Sequence, residues 1–107
     1  MEATQSVPPE PTYWNNLGLS QFEAEDYEGS LHSYETAINL ETAKRAVEKD
    51  RSPENLSFYH KNKGLALQHL EHYDAALEEY EEAIRLNKMN AENYFNRGNV
   101  RQHQKHF

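Results

Sequence analysis

Residues 13–40 read YWNNLGLSQFEAEDYEGSLHSYETAINL, and the glycine, tyrosines and alanine of this stretch stand at intervals that return later in the chain. Gly18 is followed by Tyr27, Tyr34 and Ala37 after nine, sixteen and nineteen residues, and Gly64 is followed by Tyr73, Tyr80 and Ala83 at the same three distances. Gly98 lies 34 residues beyond Gly64, with Phe107 nine residues further on. Self-similarity at a period of this length is the mark of stacked structural repeats, each too small to bury its apolar face alone.

Within each copy the spacing is helical. Trp14, Leu17 and Gly18, then Tyr27, Leu31, Tyr34, Ala37 and Ile38, recur at threes and fours, and no stretch alternates with a period of two. The fold class is therefore all-α, with antiparallel helix hairpins stacked on one another. Glycine inside a helix costs about 1 kcal/mol against alanine. That cost is rational at Gly18, Gly64 and Gly98 if two helices of a hairpin cross so closely there that a Cβ would collide. Ala37 and Ala83 are small for the same reason, whereas Tyr27, Tyr73 and Phe107 open the second helix and fill the space between hairpins.

The copies are not evenly spaced. Gly18 and Gly64 are 46 residues apart, so twelve residues are inserted relative to the 34-residue period. The organisation expected is a Pro-rich, disordered arm over residues 1–11, repeat 1 over 12–41, an inserted helix extension and linker over 42–56, repeat 2 over 57–90, and the first helix of an incomplete repeat 3 over 91–107. Asp26 reads as an N-cap. In the insertion the second helix of repeat 1 is expected to run on for two or more turns and to break near residues 50–52. Ser52 is then the N-cap and Pro53 the first helical position. Lys44, Arg45, Lys49 and Arg51 make this the most basic segment; it reads as a solvated helix end, with a docking patch for an acidic partner as the alternative.

Composition narrows the function. The 107 residues carry a net charge of -7, which argues against a duplex nucleic-acid binder and against an anionic membrane surface. There is no cysteine, hence no disulfide framework or cysteine-based zinc site. No apolar run approaches the length of a membrane span. The expected setting is the cytoplasm.

Catalytic motifs are missing as well. No nucleophile elbow, phosphate-binding loop, dinucleotide fingerprint or zinc-protease motif occurs. The acidic pairs Glu78-Glu79 and Glu81-Glu82 fall on one helix whose outer face should be solvated, which supplies no pocket for acid–base chemistry. The pairs His69/His72 and His103/His106 have H-x-x-H spacing, but the second member of each belongs at a hairpin turn, and they read as turn residues rather than metal ligands. The chain is expected to be no enzyme and to need no cofactor or metal.

Trp14, Leu17, Gly18, Tyr27, Tyr34 and Ala37, with Gly64, Ala76, Tyr80 and Ala83 in the second copy, closely resemble the tetratricopeptide repeat (TPR) family. The resemblance spans residues 12–41 and 57–107 and departs from the family pattern at Ser30, Lys63 and Lys88. It implies a right-handed α-solenoid whose first helices line a concave groove, and an adaptor or scaffold module that binds a peptide or helix of a partner protein there. It also implies that the chain is a piece or short form of a longer array.

Three asparagines, Asn16, Asn62 and Asn96, stand two residues before the glycines and could pair with the backbone of an extended peptide. Phe22, Glu23, Gln68, His69, Gln102 and His103, with Lys61 and Asn99, would complete the groove. A cochaperone-type clamp for a chaperone's C-terminal carboxylate would, in one register, use the places held by Asn15, Leu19, Asn62, Glu92 and Asn96; only Asn62 agrees, and Glu92 would repel the ligand. Starting one repeat later, Lys61 and Asn96 fit but Leu65 does not. A second reading is a structural assembly element: the face of repeat 3 without its second helix, including Tyr94, Val100 and Phe107, would self-associate and give a homodimer.

Overall fold

The computed structural model describes residues 10–105. Among them are five helices and no strand: α1 (Pro11–Glu23), α2 (Tyr27–Val47), α3 (Glu54–His69), α4 (Tyr73–Leu86) and α5 (Ala91–Lys105). The arm over residues 1–9 and the last two residues, including Phe107 and His106, lie outside the described residues. The expected arm is one residue too long at its other end. Pro11 is buried in the first turn of α1, where proline's missing N–H costs nothing because that position has no intrahelical acceptor.

Helices α1 and α2 form one antiparallel hairpin and α3 and α4 the next; α2 packs on α3, and α4 on α5. The two hairpin turns are built alike. In the first, Asp26 N–H donates to Gln21 O and Glu25 N–H to Phe22 O; in the second, His72 N–H donates to Leu67 O and Glu71 N–H to Gln68 O. This bonding closes a helix through a left-handed residue, and Glu25 and Glu71 both adopt φ of 64°. Asp26 caps α2 as its sequence suggests, its Oδ1 accepting from Gly29 N–H at 3.0 Å.

Each hairpin closes over a glycine. A Cβ on Gly18 would lie 2.5 Å from the Tyr34 ring, and one on Gly64 would lie 2.6 Å from the Tyr80 ring. The two tyrosines are 1% and 0% exposed, so the glycines exist to seat them. Ala37, Ala66, Ala76 and Ala83 are fully buried, and Leu67, Ala76, Tyr80 and Val100 form the central cluster that ties repeat 2 to α5. Ser30, which stands where repeat 2 has Ala76, is equally buried and donates its hydroxyl to Tyr27 O. A small polar residue is tolerated there because its one donor is satisfied locally.

In the insertion, α2 does run on past Leu40, but it stops at Val47, three residues before the expected break, and the chain turns through residues 48–53. Glu48 is extended, and Arg51 folds back so that its guanidinium pairs with Glu41 (2.7 and 3.2 Å) and Glu48 (3.0 Å). Glu41 has no exposed surface. A buried carboxylate requires a paired, hydrogen-bonded cation, and that requirement decides where the helix ends. Pro53 precedes α3 rather than opening it; Ser52 Oγ accepts from Glu54 N–H.

Candidate functional site

The two expected functional surfaces fare differently. Lys61, Asn62 and Asn96 were expected to present polar groups to a ligand, yet they are 5%, 3% and 6% exposed. Asn62 Nδ2 donates to Asn15 Oδ1 at 2.8 Å, joining α3 to α1 across the repeat boundary. The amide is used internally and cannot hold a peptide. The same rung fails at the next boundary. One period after Asn15 the chain has Lys61, which carries no acceptor; Asn96 Nδ2 is left without a partner among the described residues, and Lys61 Nζ turns to Glu92 at 3.2 Å. Asn16 is exposed, so an asparagine ladder along the groove does not form.

Phe22, His69 and His103 are placed at the hairpin-turn end of the stack. His69 stacks on Tyr27 (4.6 Å between centroids) and meets Phe22 edge-on (5.0 Å); His103 stacks on Tyr73 (5.0 Å). These rings are the mortar between successive hairpins, the role expected for Tyr27 and Tyr73. No cluster of three or more metal-ligating side chains occurs among the described residues. His72 precedes α4 at the turn, apart from the face that holds His69.

Gln68, Asn99, Gln102 and His103 converge on one cleft of about 350 Å³ between α3 and α5. Its neighbour, lined by Gln68, His69, Glu71, Tyr73 and His103, continues it toward the turn. All four residues of the larger cleft are among those expected in the groove, Gln102 standing at the same offset from its glycine as Gln68. Gln68 Oε1 accepts from the Tyr80 hydroxyl at 2.8 Å, which fixes the side chain that lines the cleft. Burial, with Glu92 adding to it, pushes the Tyr80 phenol above its ordinary range, so it remains a proton donor to Gln68. Glu23 is exposed on α1.

Leu19 (38% exposed), Phe58 (41%) and Phe95 (68%) extend the first-helix surface with apolar side chains. Lys61 Nζ lies 4.2 Å from the centre of the Phe58 ring. Sequence reasoning missed these residues because it sought polar contacts at the asparagine register. Phe58 and Phe95 precede Gly64 and Gly98 in the sequence, but their exposure depends on neighbours that a single chain read alone does not show.

On the opposite side, an ionic chain crosses three helices. Glu79 takes His60 Nδ1 at 2.7 Å and Lys63 at 3.3 Å, and Lys63 also reaches Glu35 at 3.5 Å. Glu79 is thus no solvated outer-face acid: its side chain is 16% exposed. Burial alone would raise its pKa, but the His60 hydrogen bond and the Lys63 charge outweigh it and hold the carboxyl below its ordinary value. This network ties α2, α3 and α4 together.

The proposed self-association edge also needs correction. Val100 has no exposed surface because it fills the central cluster with Leu67, Ala76 and Tyr80. Tyr94 is 40% exposed, with its hydroxyl donating to Lys88 O. Phe107 falls outside the described residues. Within the basic segment, Arg51 is spent on Glu41 and Glu48.

Comparison with known proteins agrees with this architecture. A family profile described as tetratricopeptide repeat matches residues 11–44, and one described as TPR repeat matches residues 64–105. Among solved structures, a chain in the crystal structure of the APC/C hetero-tetramer Cut9-Hcn1 superposes with a TM-score of 0.80 at 23% identity. The match covers 92% of this chain and 18% of that one, so the chain spans under a fifth of its relative's length. No curated protein matches the chain. Among the described residues, no helix is long and apolar enough to cross a membrane.

Proposed function

The chain belongs to the tetratricopeptide repeat family, whose members generally mediate protein–protein interactions and are typically non-catalytic, and from that premise we propose that it is an adaptor module gripping a partner segment along α1, α3 and α5. The observation that carries this reading is the cleft where Gln68, Asn99, Gln102 and His103 converge, with the exposed Phe58 and Phe95 carried on the same two helices. Amides supply donors and acceptors to a peptide backbone, and the aromatic rings supply apolar area at low entropic cost. Chaperone-tail binding is disfavoured. Asn62, the one residue that fits such a clamp in the first register, is buried against Asn15; Lys61 and Asn96, which fit when the register starts one repeat later, are buried as well, and Glu92 neutralises Lys61.

A display selection of random peptides against the chain, followed by amide chemical-shift mapping, tests the proposal. Selected peptides should perturb Gln68, Asn99, Gln102 and His103, and Asn99→Ala with Phe95→Ala should weaken them about tenfold, the cost of losing one anchor side chain. Perturbation confined to the turn through residues 48–53 would refute it.

A further inference from the structure

The aromatic packing between repeats differs at its two boundaries by one ring. Where the first hairpin meets α3, Phe22 stands edge-on to Tyr27 (5.2 Å) and to His69 (5.0 Å), and Tyr27 stacks on His69 (4.6 Å). Where the second hairpin meets α5, the stack recurs as Tyr73 on His103 (5.0 Å). The place of Phe22, four residues beyond the glycine, there belongs to Gln68. At that boundary lies the cleft lined by Gln68, His69, Glu71, Tyr73 and His103, about 240 Å³ in volume.

We propose that this cleft is a subsite for an arginine side chain of the partner segment. The proposal rests on the reading of the first-helix surface as a partner-binding groove and deepens it, because Gln68 and His103 line this cleft and the larger one alike. Its walls come from α3, α4, α5 and the turn between α3 and α4. At the first boundary the corresponding place is filled from within α1, by Phe22.

Charge selects a cation. Glu71 is the one carboxylate of the lining, and among the described residues no lysine or arginine lines the cleft. Its side chain makes no ion pair among those residues, and its backbone N–H donates to Gln68 O at 3.0 Å, which holds it at the turn. Shape selects arginine over lysine. The corresponding place at the first boundary holds a planar ring, and a guanidinium is planar, whereas an ammonium is a compact point charge. Seated there, a guanidinium would meet the Tyr73 and His103 rings as Phe22 meets Tyr27 and His69, with a cation–π contribution. Gln68 Oε1 accepts one hydrogen bond, from Tyr80, and keeps a second lone pair for a guanidinium N–H. Glu71 would accept from the rest of the fork. The first turn supplies an internal control: Glu25 has the same place and the same φ of 64° as Glu71, but Phe22 fills the corresponding position beside it.

The probe is N-acetyl-arginine amide, titrated into the full chain and followed by amide chemical shifts. Saturable shifts are expected at Gln68, Glu71, Tyr73 and His103, with Glu25 unmoved. The citrulline analogue, alike in shape but uncharged, should produce none, and the lysine analogue should bind more weakly. Glu71→Gln should weaken arginine binding about tenfold, the loss of one charge-assisted contact. Gln68→Phe should abolish it while circular dichroism still reports a folded chain, since Phe22 and Tyr34 show the same combination in the first hairpin. No binding, equal binding of citrulline, equal shifts at Glu25 or undiminished binding to Glu71→Gln each overturns the proposal. Display-selected peptides separate it from the groove reading. Peptides that shift Asn99 and Gln102 yet bind Glu71→Gln and Gln68→Phe as well as the parent overturn the subsite and leave the groove standing. Arginine bound as expected, with no peptide shifting Asn99 or Gln102, upholds the cation site and overturns the groove.

Discussion

The Tyr80 ring lies against the backbone of Gly64 so closely that a single added methyl would stand 2.6 Å from it. The same residue pair, spaced sixteen apart, closes the first hairpin as Gly18 and Tyr34. Gly98 has the position without the partner. The pair therefore gives an internal control. Gly64→Ala should destabilise the fold, since overpacking costs about 1–3 kcal/mol and exceeds the gain of about 1 kcal/mol from helix propensity. Gly98→Ala should keep that gain. Urea denaturation of the two variants, expected to move the midpoint in opposite directions, checks this directly.

Glu79 predicts an acid-sensitive step. Its carboxyl is held below the ordinary 4.5 by His60 and Lys63 against the opposing effect of burial. A group with a depressed folded pKa binds fewer protons in the folded state than in the unfolded one. Its contribution is present above the ordinary value and lost as pH falls through the folded one. Melting temperature should therefore drop below about pH 4.5 more steeply in the parent than in Glu79→Gln, which has no such proton to take up. Parallel curves for the two proteins would show that Glu79 carries none of the acid sensitivity.

The end of α2 depends on one ion pair. Glu41 is fully buried and Arg51 is its cation. Arg51→Ala strands a charge inside the protein, whereas Glu48→Ala removes only an exposed partner. Chemical denaturation should rank Arg51→Ala well below Glu48→Ala in stability. Glu41→Leu combined with Arg51→Ala should recover most of the loss, because a packed apolar pair needs no compensation.

Asn93 offers a stabilising change. Its side chain is fully buried on α5, and neither amide atom has a hydrogen-bond partner among the described residues. Leaving such groups unsatisfied costs about 1–3 kcal/mol. Asn93→Leu, which keeps the branching and the number of side-chain heavy atoms and is apolar, should raise the melting temperature by roughly 4 °C or more, by the usual conversion for a domain of this size. A lowered melting temperature would mean that the amide is satisfied in solution.

Much of the architecture was legible because it is periodic. The intervals from Gly18 to Tyr34 and from Gly64 to Tyr80 announce two hairpins, and Asp26 marks where one second helix begins. The turn of the insertion was less legible. Helix propensity carried the reading past Val47, because the pairing of Glu41 with Arg51 spans ten residues and ends the helix through burial, a condition that propensity does not express. At the candidate site, Gln68, Asn99 and His103 emerged from register alone, whereas Phe58 and Phe95 did not, since their exposure depends on neighbours.

The sequence by itself determined the repeat, the helix class and the glycine seats, because each follows from the spacing of residue types along one chain. Tertiary structure alone decided which side chains remain available. Asn62 is withdrawn because Asn15, 47 residues away, offers an acceptor on α1; Asn96 has no such neighbour because Lys61 stands there instead. Val100 was withdrawn from the open edge because the neighbouring hairpin covers it, and Gly98 was left bare because nothing described does. Periodicity tells which residues share a helical face, and only packing tells what lies against that face.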